Sequence, residues 1–116
     1  MTGYTKRRLS SAAMGMVAER FKVLSEPMRL RLLYSLMDGE KNVSELVAET
    51  GSAQANVSRH LSVLLDAGIL GRRKEGTSTH YHIADESIFE LCNLVCGSIY
   101  DRLAAELDEL DAPPRH

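Results

Sequence analysis

Residues 52–83 read SAQANVSRHLSVLLDAGILGRRKEGTSTHYHI, a polar-faced helix joined directly to a short, basic hairpin. Ser52 is placed to cap the helix by accepting a backbone N–H bond, and Gly68 to end it with a left-handed residue. At about 100° per residue, Val57, Leu61, Leu64 and Leu65 share a stripe for burial, while Gln54, Ala55, Ser58, Arg59 and Ser62 fall opposite. The outward side is narrow and rich in donors. A DNA major groove admits such a helix, where Gln or Asn pairs bidentately with adenine and Arg with guanine. Gln54, Asn56 and Arg59 supply those groups.

Stretches 69–74 and 79–83 read as two strands joined by Glu75-Gly76-Thr77-Ser78. Arg72, Arg73 and Lys74 put three positive charges beside the tip, where they are placed to neutralise phosphates flanking the groove. A basic hairpin alone reads as a solvated face. Beside this helix it reads as a wing. The expected contacts to double-stranded DNA are Ser52, Gln54, Ala55, Asn56, Ser58, Arg59, His60, Arg72, Arg73, Lys74 and Thr77. His60 is expected to touch phosphate or to pack rather than to bind metal. His80 and His82 share one strand face, but no cysteine or carboxylate is spaced with them as a local ligand set.

Three segments together resemble the ArsR/SmtB family of bacterial winged-helix repressors: LSEPMRLRLLYSL at 24–36, QANVSRHLSVLLDAGIL at 54–70 and RRKEGTSTHYHI at 72–83. The resemblance implies a homodimer that binds a palindromic operator and releases it when a metal ion, metalloid or other small signal reaches a sensing site. The fold class expected is mainly α with a small β-hairpin. It is a winged helix-turn-helix of five helices, with a two-stranded wing between the fourth and fifth and dimerisation through the first and last.

With 116 residues, 44% of them hydrophobic, the chain supports one modest core. The domain is expected at 11–111, preceded by a flexible basic arm at 1–10 and followed by a disordered tail at 112–116. No apolar run is long enough to cross a bilayer, and MTGYTKRRLSS lacks the apolar segment of a secretory signal, so a cytoplasmic protein with no membrane partner is expected. The net charge of −2 is unevenly spread. Residues 1–84 carry 12 Lys/Arg against 8 Asp/Glu, whereas 85–111 carry 1 against 8. The basic part is the one expected to face phosphates.

Met14, Val17, Phe21 and Leu24 recur at helical spacing, and Glu26-Pro27 starts a second helix whose Leu30, Leu33, Tyr34 and Met37 are expected to face the core. Asp38-Gly39-Glu40 ends that helix, 42–49 makes a third, and Thr50-Gly51-Ser52 turns into the fourth. A final helix over 85–110 carries Ile88, Leu91, Val95, Ile99, Leu103, Leu107 and Leu110 as an apolar seam. So small a domain cannot bury it. With Val17 and Phe21 of the first helix, the seam is expected to meet a second copy across a two-fold axis.

Cys92 and Cys96 lie four residues apart in CNLVC, so their sulfurs share one side of the last helix. They read either as compact hydrophobes in the seam or as a thiol site. The resemblance favours the second. Soft thiolates suit As(III), Zn, Cd or Cu(I), or are oxidised by reactive sulfur or peroxide. Two thiols do not complete a tetrahedral zinc site, whereas two from each protomer would give four. The family's familiar sensing patterns are absent. The Cys-x-Cys of the arsenic and cadmium sensors is replaced by NVSELVAET. The four last-helix ligands of the zinc sensors align with Asp85, Ser87, Ser98 and Asp101, and the second-helix cysteine of the persulfide sensors with Tyr34.

The expected function is a homodimeric DNA-binding repressor released by a thiol-reactive signal at Cys92 and Cys96. The alternatives are a winged-helix regulator without effector-binding cysteines, and a protein-interaction module that does not read DNA. No Cys/His nucleophile pair, Gly-rich phosphate loop or clustered acid pair sits in a recognisable motif, so no enzyme is expected.

Overall fold

The computed structural model describes residues 6–111, and the expected tail and residues 1–5 of the arm lie outside the described residues. In chain order the elements are α1 (Ser11–Leu24), α2 (Pro27–Leu36), β1 (Lys41–Asn42), α3 (Val43–Thr50), α4 (Gln54–Asp66), β2 (Leu70–Glu75), β3 (Ser78–Ile83) and α5 (Ser87–Asp111). They form two compact units that part between Ala84 and Asp85, within the span expected as one domain.

Local chemistry explains most boundaries. Pro27 opens α2 at its first position, and the Glu26 carboxylate accepts the Arg29 backbone N–H at 3.3 Å. Asn42 and Glu45 cap α3 reciprocally: Asn42 Oδ1 accepts from the Glu45 N–H, and Glu45 Oε1 accepts from the Asn42 N–H. The α4 start differs from expectation. Its N-cap is Ala53, which makes no side-chain cap bond. Ser52 therefore lies one residue too early to reach the first turn, and its Oγ instead accepts from Asn56 Nδ2 at 2.8 Å. The α4 end agrees with expectation. Gly68 takes φ 75°, its N–H donates to Leu65 O at 2.9 Å, and the Ile69 N–H donates to Leu64 O at 3.1 Å. Leu64 and Ile69 are both fully enclosed, so this stop also aims the chain into β2. Arg20 of α1 donates from Nη2 to Ala67 O at 3.2 Å, bringing a cation to a helix end that has no basic residue of its own.

The core of the first unit joins Val23 and Leu24 of α1, Leu32, Leu33 and Leu36 of α2, Leu46 of α3, and Val57, Leu61 and Leu64 of α4 to Ile69 and Leu70. The buried face of α2 is not the one expected. Leu33 is enclosed and Met37 half-buried, but Leu30 and Tyr34 are exposed, Tyr34 at 76%. Apolar residues run around most of α2, so spacing alone does not choose a face; contact with α3 and α4 selects Leu32, Leu33 and Leu36.

The two-stranded wing is present as β2 and β3, and β1 adds a third strand to it, giving the order β1-β3-β2. Both pairings are antiparallel, with Lys41 opposite Tyr81 and Asn42 opposite His80 on one side of β3. On the other side Leu70 faces Ile83, and the ladder runs to Glu75 opposite Ser78. The hairpin loop is thus Gly76-Thr77, with Gly76 at φ 62° in the first central position, where a two-residue turn calls for glycine. β1 is too short to show alternation, and it is held by side chains. Lys41 Nζ donates to Ser35 O, Ser35 Oγ and Glu49 Oε1, and Ser35 Oγ donates to Glu49 Oε2.

Two substitutions test this packing by urea titration. Leu64→Ala is expected to cost about 2–5 kcal/mol, as a deep core truncation does. Gly68→Ala, forced into a left-handed conformation, is expected to cost about 1–2 kcal/mol. Loss of less than half these amounts would show that α4 is not locked at its C-terminal end.

Candidate nucleic-acid interface and thiol pair

Burial of Val57, Leu61 and Leu64 turns Ala55, Arg59 and Ser62 outward, with Ser58 half-buried at the margin and Leu65 also half-buried, while Gln54 is exposed because it stands at the first position of the helix. These outward residues do not act independently. Asn56 donates to Ser52 and accepts from Arg59 Nη2 at 2.7 Å, so Ser52, Asn56 and Arg59 form one connected group along the helix. Gln54 makes no such bond among the described residues.

His60 does not belong to the outward face. It is 5% exposed, because positions 57, 60, 61 and 64 follow the i, i+3, i+4, i+7 spacing of a single buried stripe. Its side chain is enclosed with the core stripe and is not turned outward beside Arg59. Its Nε2 lies 3.4 Å from Arg59 Nη2, and its Nδ1 lies 3.6 Å from Glu26 Oε2, beyond hydrogen-bond reach. Burial pushes the imidazole below its ordinary pKa. The Glu26 carboxylate opposes this, and Arg59 and Arg29 add to it.

On the wing, Arg72, Arg73, Lys74 and Thr77 are all exposed. Their charges are not equivalent. Arg73 Nε donates to Glu40 Oε1 at 2.8 Å, its Nη2 also bonds that carboxylate, and its Nη1 pairs with Glu75 Oε2 at 3.1 Å. The Arg73 hydrogen bond holds the Glu40 carboxyl below the usual carboxylate range. Glu40 and Arg73 are separated by 33 residues, so no local sequence signal announces the pair. Arg72 and Lys74 have no ion pair among the described residues. His80 Nε2 faces Glu75 Oε2 at 3.7 Å, and the His82 ring lies so close over Gly71 that a Cβ there would meet Nε2 at 2.5 Å. Both histidines thus have structural surroundings. A polar groove between the start of α3 and the wing tip is lined by Ser44, Thr77, Ser78 and Thr79 among others.

In the second unit, Cys92 is half-buried and Cys96 exposed, and both thiols are free. They begin a stripe continued by Ile99, Leu103, Leu107 and Leu110, each more than half exposed. Val95 is exposed on its flank, Leu91 is half-buried, and Ile88, at 2%, is buried and so drops out of the exposed seam. On α1, Met14, Met16, Val17 and Phe21 are exposed as well. Burial, and then the neighbouring Cys96, push the Cys92 thiol up. Among the described residues, no group of three or more His, Cys, Asp or Glu is placed to hold a metal ion. No described helix is long and apolar enough to cross a membrane.

The model of the bacterial regulatory protein family arsR matches residues 26–71, from the cap of α2 into β2. A probable mercury resistance operon repressor of Streptomyces lividans is 35% identical over 88 residues, which cover 76% of this chain and 70% of that protein. The chain belongs to the ArsR family. It is a winged helix-turn-helix transcriptional regulator of that family, not an enzyme. Two solved structures extend the likeness. The antimony-specific repressor AntR superposes with a TM-score of 0.76 at 33% identity, covering 85% of this chain and 90% of its own. A winged helix-turn-helix DNA-binding domain of Mycobacterium bovis, homodimeric in solution, gives 0.68 at 30% identity over 100% of this chain and 99% of its own.

The lowered His60 pKa has a defined sign. The unfolded chain takes up a proton near the ordinary value of about 6.5, while the folded imidazole resists it. The stability is therefore complete above about pH 6.5 and is lost as pH falls through the lowered folded value. The urea midpoint is expected to drop from pH 7.5 to 5.5, and His60→Gln is expected to flatten that slope. An unaltered slope in the variant would place the titrating group elsewhere.

Proposed function

We propose that this ArsR-family regulator is a cytoplasmic homodimeric repressor that binds a palindromic operator and releases it when a thiol-reactive signal acts at Cys92 and Cys96. The observation that carries the reading is the exposed polar side of α4, bearing Gln54 and Arg59 with Ser58 at its margin, in the same compact unit as Arg72 and Lys74, which have no ion pair among the described residues. The helix meets base edges and the wing meets phosphates, with Thr77 and the hydroxyl-lined groove adding neutral donors to the backbone. Arg73 contributes less, since Glu40 and Glu75 already neutralise it.

The exposed apolar stripes of α1 and α5 support the dimer, because surfaces of that extent mark an interface. The homodimeric M. bovis relative supports it too. A two-fold pair sets its two α4 helices about 34–36 Å apart, matching successive major grooves. The relatives named for mercury and antimony support a thiophilic signal, and Cys92 and Cys96 are the only thiols in the chain. As(III), Zn, Cd and Cu(I) fit a thiolate pair, with remaining ligands drawn from the partner protomer or small molecules. Reactive sulfur and oxidants act on the same groups.

In operator titrations, Arg59→Ala is expected to lose about 1–3 kcal/mol of discrimination at one base pair. Lys74→Ala is expected to weaken all sequences alike and to shallow the salt slope by about 1. A slope identical to wild type would take the wing off the DNA.

For the signal, arsenite or Cd(II) is expected to lower operator affinity about 5- to 150-fold in wild type. The double variant Cys92→Ser/Cys96→Ser is expected not to respond. Because the Cys92 thiol is pushed up, ion binding must release its proton, so apparent Cd(II) affinity is expected to rise with pH through the neutral range. A full response in the double variant would remove both cysteines from the mechanism.

A further inference from the structure

We infer that Asn56 does not read a base but positions Arg59, as the central link of the hydrogen-bonded group Ser52–Asn56–Arg59 along α4. The inference rests on the DNA-reading role of α4 proposed above. Bidentate pairing with adenine needs the carboxamide oxygen and nitrogen turned together toward one base edge. In Asn56 they are turned to two neighbours instead: Nδ2 donates to Ser52 Oγ at 2.8 Å, and Oδ1 accepts from Arg59 Nη2 at 2.7 Å. The side chain is also only half exposed, whereas Gln54 and Arg59 are exposed.

Arg59 is flanked on its other side as well. His60 Nε2 lies 3.4 Å from the same Nη2. His60 is enclosed by the core, so it cannot swing away. Its far nitrogen faces Glu26 Oε2 at 3.6 Å, and that oxygen accepts the Arg29 N–H at the start of α2. Nη2 carries two hydrogens, so with one held by Asn56 the other remains, beside a neighbouring N–H of the guanidinium, for a guanine edge. An arginine free in solvent loses rotamer freedom when it docks, and one already held loses less. Asn56 therefore acts through Arg59, and the pair reads one base pair as a unit.

The test uses the full chain and a duplex that it selects from a random pool. Affinities for that duplex and for each single base-pair change are measured for wild type, Asn56→Ala, Arg59→Ala and the double variant. Positioning predicts that Asn56→Ala loses discrimination, about 5- to 150-fold at most, at the same base pair as Arg59→Ala. It also predicts that the double variant loses no more than Arg59→Ala alone. Loss at a different base pair, with additive effects, would make Asn56 a base reader and overturn the inference while leaving the DNA-reading proposal intact. A wild type that selects no sequence overturns both.

A second readout needs no DNA. The Arg59 side-chain N–H signal of the free protein is expected to be ordered in wild type, mobile in Asn56→Ala, and ordered again in Asn56→Asp, which keeps the acceptor. If Asn56→Ala fails to fold, Ser52→Ala removes the far anchor of the group and is expected to loosen the same signal. An Arg59 signal equally mobile in all these proteins defeats the inference.

Discussion

Val57, Leu61 and Leu64 are fully enclosed between α2, α3 and the start of β2, and the rest of the first unit depends on that enclosure. A helix fixed on one side has no freedom on the other, so Arg59, two positions from both Val57 and Leu61 and thus roughly opposite them, faces solvent. The same burial reaches the wing. Leu64 and Ile69 are packed on either side of Gly68, which ties the direction of β2 to the end of α4. The polar face of the helix and the basic hairpin are two ends of one rigid connection.

Electrostatics then sorts the wing cations. Three adjacent basic residues look alike in sequence, yet Arg73 is bound to Glu40 and Glu75, while Arg72 and Lys74 stay unpaired among the described residues. Arg73 thereby serves the sheet. It fastens β2 to the segment leading into β1, across β3, and its charge is largely spent within the fold. Surface pairs of this kind contribute little to stability, so orientation of the hairpin is the more important result.

Features carried by local chemistry were legible from residues alone. The start of α2 at Pro27, the α3 cap at Asn42, the stop at Gly68 and the turn at Gly76 each depend on a residue whose backbone or side chain permits little else. What depends on distant partners was not legible. β1 pairs through two residues only, α2 has apolar residues on too many sides for its spacing to choose Leu32 and Leu36 over Leu30 and Tyr34, and Glu40 finds Arg73 across the fold. The burial of His60 is an intermediate case. Its spacing from Val57, Leu61 and Leu64 announced it, but a histidine inside a polar-looking helix invites the opposite reading. Ser52 is a similar case, since a serine before a helix suggests a cap even when it stands one position too far out.

The strand order carries one more consequence. With β3 in the middle, β2 forms a long outer border of the sheet whose backbone groups on one side have no strand beside them. Such borders recruit strands from other molecules and seed aggregates unless something discourages it. Here Arg72 and Lys74 stand along that border without an ion pair among the described residues, and a second copy approaching it would have to bring two like charges alongside two others. The cations proposed to meet phosphate thus also oppose strand pairing between copies when no nucleic acid is at hand.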